Sequence, residues 1–184
     1  MIVRLPYCYK MTSLTLLILV GAVVSATAQD ETARVERHLI KINALLPGME
    51  YEAAVSRLVT LNVNPYLRPS YTSRDGLILQ PAAHVQVRKY YNLARRQNRD
   101  KNITGNSGAF VGLSIFGASQ SLTNAEDFRS DNYYGLGPVW GIQRTFGSNF
   151  NLSANGGVGY TIDNQQFVLL LNLRIGWALF RSSR

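Results

Sequence analysis

The side chains of this sequence that could do chemistry share one parity of its alternating stretches. Lys41, Glu50, Glu52, Arg68, His84, Arg88 and Arg174 all fall on it, and Ser114 joins them. Two chemistries suit such a set. Carboxylates and cations confined together must pair, because a buried charge without a partner carries a heavy desolvation cost. Alternatively, His84 could serve as general base towards Ser114 in acyl transfer, but no short motif in the chain fixes a triad around them. The expected role is therefore structural, with ion pairs filling an interior and with no catalytic residue, cofactor or metal. Cys8 is the single cysteine and lies in a segment expected to be removed, so neither a thiolate nucleophile nor a disulfide is anticipated.

The elements that must position these residues are strands. From Tyr133 to Phe180 three stretches alternate with a period of two. The last puts Phe167, Leu169, Leu171, Leu173, Ile175, Trp177 and Leu179 opposite Val168, Leu170, Asn172, Arg174 and Gly176. In the two before it the second face is mostly Gly, Ser and Asn, without the many Lys and Glu side chains of a solvent-facing sandwich surface. Such a pattern fits a barrel whose outside meets hydrocarbon and whose inside is small and wet.

Upstream, Ala109 to Ile115, Leu77 to Val87, Val59 to Leu67 and Met49 to Val55 alternate in the same sense, with Phe110 and Phe116 on the inner face. Pro47-Gly48 reads as a turn between Met49 and a short first strand carrying His38, Ile40 and Ile42. The count is then eight, even as membrane barrels of this kind require, in an antiparallel up-and-down order. If Pro47-Gly48 were only a kink, the count would fall to seven. Pro65, Pro81 and Pro138 interrupt strands that should be paired on both sides, and bulges are expected there.

Residues 1–28 have the parts of a secretory signal: basic Arg4 and Lys10, an apolar run from Leu14 to Val24, and Ala26-Thr27-Ala28 as cleavage site. Export with cleavage before Gln29 is expected, followed by a short polar segment over 29–35, a barrel over 36–181 and a tail over 182–184. Cleavage lowers the formal net charge from +8 to +6, 17 basic against 11 acidic side chains. About 155 residues remain, enough for one domain.

Lipid-facing aromatics concentrate at the two interfaces of a membrane barrel. Tyr91, Phe146, Phe150 and Trp177 fall near the rim that carries both chain ends, which is the periplasmic one by the short-turn rule. Tyr134, Tyr160 and Phe167 fall near the opposite rim, whereas Trp140 sits mid-strand. Arg95, Arg96, Arg99 and Lys101 lie in the longest turn on the periplasmic side, where they could meet anionic headgroups or an envelope partner. Nucleic acid is not expected, because stacking aromatics are not interleaved with these cations.

The run Lys89-Tyr90-Tyr91-Asn92-Leu93-Ala94-Arg95-Arg96, the Asn106-Ser107-Gly108 before the next strand and the stretch Leu45 to Glu52 resemble small outer-membrane barrel proteins of the Bacteroidota type. The resemblance implies an eight-stranded transmembrane barrel similar to the OmpA and OmpX kind, with no activity or catalytic residues to carry over. One departure is that Phe180 is followed by Arg181-Ser182-Ser183-Arg184, where such chains usually end on an aromatic. The function expected is a non-enzymatic outer-membrane barrel with a structural or loop-mediated binding role. The alternatives are a soluble secreted ligand-binding barrel, similar in logic to lipocalins, and a membrane-embedded lipid-modifying enzyme built on His84.

Overall fold

Pro47 ends a turn and Gly48 begins a strand, so the chain forms eight strands and not seven. The computed structural model describes residues 33–72, 76–120, 132–147 and 149–182. Its strands are β1 His38–Asn43, β2 Gly48–Ala54, β3 Val59–Thr72, β4 Gly76–Tyr90, β5 Ala109–Ala118, β6 Tyr133–Phe146, β7 Phe150–Thr161 and β8 Phe167–Arg181. They pair antiparallel in sequence order and close into a barrel through β1 on β8. The expected signal segment over 1–28, the first part of the polar segment after it, the loop residues 121–131 and the last two residues of the tail lie outside the described residues.

Both described chain ends and the β2–β3, β4–β5 and β6–β7 connections lie at one end of the barrel, here the near end. The other four turns lie at the far end.

The alternation holds along most of each strand, but β5 opens with Ala109 and Phe110 both buried and β8 ends with Leu179, Phe180 and Arg181 all exposed. In β6, Gly135, Gly137, Val139, Gly141, Gln143 and Thr145 are buried, while Tyr134, Leu136, Pro138, Trp140, Ile142 and Phe146 are exposed. In β8, Leu169 and Leu171 are 71% and 75% exposed. The inner glycines make room for large side chains from across the lumen. A Cβ on Gly135 or Gly159 would collide with the ring of Phe116, and one on Gly141 with the ring of Phe110. The glycine-rich face thus lets two phenylalanines pack inward.

The prolines produce no bulge, contrary to expectation. Pro65 stays opposite Ala83, Pro81 opposite Leu67 and Pro138 opposite Leu113 without any register shift. At Pro65 the reason is local. Leu67 N donates to Pro47 O, and the alternation of antiparallel bonds therefore assigns the missing Pro65 N–H to the carbonyl of Met49. The Asn64 side chain donates to that carbonyl instead, at 2.8 Å. The irregularity falls where β1 closes on β8, between Ile40 and Lys41.

The near end is not a simple turn region. The β4–β5 connection contains a short helix, α1 (Leu93–Gln97), and the segment before β1 folds onto it. Ala33, Val35, Tyr90, Leu93, Ile103 and Phe110 form one apolar cluster, joined by Leu58 and Ala94. Glu36 ties the two pieces together: its N–H donates to Asn106 Oδ1 at 2.7 Å, and its Oε1 accepts from Gly105 N at 3.1 Å. Residues read from sequence as a polar leader to the barrel therefore include part of a plug.

Candidate functional site in the barrel interior

Facing strands carry the interior charges to the same depth. Lys41 on β1 lies opposite Glu50 on β2, Glu52 opposite Asn62 on β3, and Thr60 opposite Arg88 on β4. Lys41 Nζ donates to Glu50 Oε1 at 2.7 Å and to Glu52 Oε2 at 3.4 Å. Arg88 donates to Glu50 Oε1 at 3.1 Å and to Asn62 Oδ1 at 2.9 Å, while its guanidinium carbon stands 4.7 Å from the centre of the Phe110 ring. Arg174, from β8, brings Nη1 to 3.6 Å from Glu50 Oε2. All five charged groups are buried.

Neutral donors complete the layer. Glu52 Oε1 accepts from the Thr60 and Tyr90 hydroxyls, each at 2.8 Å, and Glu50 Oε1 accepts from Asn62 at 2.6 Å. Gln143 reaches across from β6, accepting from Lys41 at 2.9 Å and donating to the carbonyl of Gly105 at 2.8 Å. Tyr90 and Gln143 thereby tie the ionic layer to the plug beneath it. Thr60, Asn62, Tyr90 and Gln143 were not singled out from sequence, although all four share the inward parity.

Two expected members stand apart. Arg68 is exposed towards the far end and donates to the Tyr133 hydroxyl at 2.7 Å. His84 lies between the ionic layer and Arg68, with Nε2 at 3.0 Å from the Tyr66 hydroxyl and Nδ1 at 3.5 Å from Ser114 Oγ. Neither takes part in the ion pairs found among the described residues. Parity assigns a side chain to a face but not to a depth, and these two sit higher in the lumen than the carboxylates.

His84 and Ser114 are neighbours, as acyl-transfer chemistry would require, but their surroundings are not those of a triad. Ser114 Oγ accepts from Gln86 Nε2 at 3.2 Å, and the second imidazole nitrogen faces the Tyr66 hydroxyl where a triad would place a carboxylate.

Above the ionic layer is a cavity of about 790 Å³ lined by Tyr66, His84, Phe116, Val139, Asn155 and Asn172, among others. It extends to Asp163 and Asn164 in the β7–β8 turn. The ionic layer and the plug beneath it therefore occupy the near half of the lumen, and the cavity occupies the far half. An interior filled by ion pairs was expected, and the far half instead contains this cavity.

On the outer surface the aromatic residues gather at both ends. Phe150 packs against Phe146, tilted, and Trp177, edge-on, at 6.1 and 5.8 Å between centroids at the near end, and Tyr160 meets Phe167 at 5.3 Å at the far end. Tyr134 is exposed there as well. Trp140 is drawn towards the near end by donating Nε1 to the Tyr91 hydroxyl at 2.8 Å. Of the basic cluster, Arg95, Arg99 and Lys101 are exposed, whereas Arg96 is half-buried and donates to the carbonyl of Asn102 at 2.8 Å.

No protein-family model, curated protein or solved structure matches this chain.

Proposed function

We propose that this chain is a non-enzymatic outer-membrane barrel, exported by a cleaved signal peptide. It spans the membrane with its eight strands and serves a structural or binding role in the envelope. The observation that carries the reading is the outer face. Leu61, Val87, Leu113, Ile115, Leu136, Trp140, Val158, Leu169 and Leu171 are all exposed on successive strands of a closed ring. A soluble protein rarely exposes apolar surface that continues around it. Hydrocarbon would be the matching solvent, with the paired aromatics at each end meeting the headgroups. Lys89 and Arg144 lie near the near end, within reach of phosphates by snorkelling. The similarity to barrels of the OmpA and OmpX kind belongs to the same proposal, as does contact between the near-end cations Arg95, Arg99 and Lys101 and anionic headgroups or an envelope partner.

A soluble secreted barrel would share the lumen but would need a polar outside. A lipid-modifying enzyme would need His84 aligned by something stronger than two hydroxyls. Expression of the full chain, followed by membrane fractionation and gel mobility with and without boiling, tests the reading. The expected result is an outer-membrane protein that migrates faster when unboiled. Recovery in the aqueous fraction would refute it.

A further inference from the structure

The charges of the ionic layer do not balance. Among the described residues, Lys41, Arg88 and Arg174 pair only with Glu50 and Glu52, so this layer holds three cations against two anions. Arg174 is the member left over. Its side chain is 2% exposed, its closest carboxylate oxygen is 3.6 Å away, and none of its three guanidinium nitrogens has a hydrogen-bond partner among the described residues. A buried guanidinium with one long ion pair and no hydrogen bond is costly, and a second anion would satisfy it. The groups around it are in the same condition. Ser153 Oγ, opposite it on β7, has no hydrogen-bond partner among the described residues, nor do Asn155 Nδ2 and Asn172 Oδ1. Asn172 is one inward position along β8 from Arg174, and it lines the cavity together with Asn155. Its 3.6 Å approach to Glu50 on β2 carries the Arg174 guanidinium off its own wall and below the cavity that Asn172 and Asn155 line. Higher in the cavity the lining turns apolar, with Phe116, Val139 and Leu170.

We propose that the far half of the lumen binds a small organic carboxylate, its anionic group held by Arg174 with Asn155 and its apolar body against Phe116, Val139 and Leu170. A planar guanidinium suits a carboxylate because two parallel N–H donors match its two oxygens. Arg68 at the far rim adds a second positive charge along the way in. The inference rests on the closed barrel and its interior and is independent of what the outer face meets.

The test uses ¹⁵N-labelled protein comprising residues 29–184, folded in a neutral detergent, with hexanoate, hexanol and inorganic phosphate as probes. Side-chain amide signals of Asn155 and Asn172 and the Arg174 Nε signal report binding locally. Hexanoate should shift all three saturably. Hexanol at equal concentration should not, and phosphate should bind at least tenfold more weakly. Arg174→Gln should weaken hexanoate binding at least tenfold, and Arg174→Lys should weaken it less. Equal response to hexanoate and hexanol would overturn the proposal. So would unchanged hexanoate binding in folded Arg174→Gln, or phosphate binding as tightly as hexanoate. If Arg174→Gln does not fold, the three-probe comparison on the unaltered protein decides. Flotation with lipid vesicles, measured on the same sample, tests the membrane reading separately, so either can fail alone.

Discussion

Replacing Glu50 by Gln should damage this barrel more than any other single isosteric change in its interior. Glu50 Oε1 accepts from Lys41, Asn62 and Arg88 at 2.7, 2.6 and 3.1 Å, and Oε2 faces Arg174 at 3.6 Å. The amide keeps the shape and one acceptor oxygen. It removes the charge, however, and turns a donor towards one of the cations, leaving Lys41, Arg88 and Arg174 to share Glu52. Breaking a buried pair by removing one partner costs about 3 to 5 kcal/mol, a large part of the 5 to 15 kcal/mol that stabilises a typical domain. Three cations lose one partner here, but Gln still accepts a hydrogen bond, so we place the loss at about 3 kcal/mol. Urea titration of the barrel in lipid vesicles, scored as the fraction of fast-migrating species without boiling, would read it. The double variant Glu50→Gln with Arg174→Gln removes one charge of each sign and should recover at least ~1 kcal/mol, a coupling typical of residues in one network. A loss below ~1 kcal/mol for Glu50→Gln, or strict additivity in the double variant, would refute the claim that the layer is held by charge.

Leu171 is 75% exposed on β8, between the end aromatics Phe167 and Trp177. Leu171→Arg should therefore block assembly or cost about 2 to 4 kcal/mol in vesicles, as a charge does at a barrel's lipid-facing midplane; urea titration measures it. Gly105 has φ +59° and its missing Cβ would strike Thr145. Gly105→Ala should loosen the near-end plug by about 1 kcal/mol or more and speed amide hydrogen exchange at Ser107 and Thr145. The ionic layer and the plug lie in series across the lumen, so purified protein in planar bilayers should give no stable, large-conductance openings.

The period of two was enough to assign nearly every strand residue to a face, because a closed barrel with different solvents inside and outside imposes that alternation on each strand. The eight-strand count and the separation of β1 from β2 at Pro47-Gly48 were legible for the same reason. Depth was not. Whether His84 meets Glu50 or Tyr66 depends on strand tilt and stagger, which local pattern does not record. Arg68 and His84 were accordingly grouped with carboxylates that they do not reach. The plug escaped for another reason. Ala33, Val35, Leu93 and Ile103 have no shared period, and the bonds that dock them join Glu36 to Gly105 and Asn106, about 70 residues on. The bulges anticipated at three prolines were an overestimate, since one lost ladder bond can be replaced by a neighbouring side chain, as Asn64 does for Pro65.

The central claim is that the outer parity of the strands meets lipid and the inner parity does not. Cys8 is the chain's one cysteine and lies in the expected signal segment, so mature protein can carry a single new cysteine at will. An environment-sensitive fluorophore on Leu171→Cys and, separately, on Asn172→Cys would be compared in vesicles containing lipids brominated at mid-chain. Quenching should be strong at position 171 and weak at 172. Equal quenching at both positions, or no quenching at either in protein that floats with the vesicles, would contradict the claim.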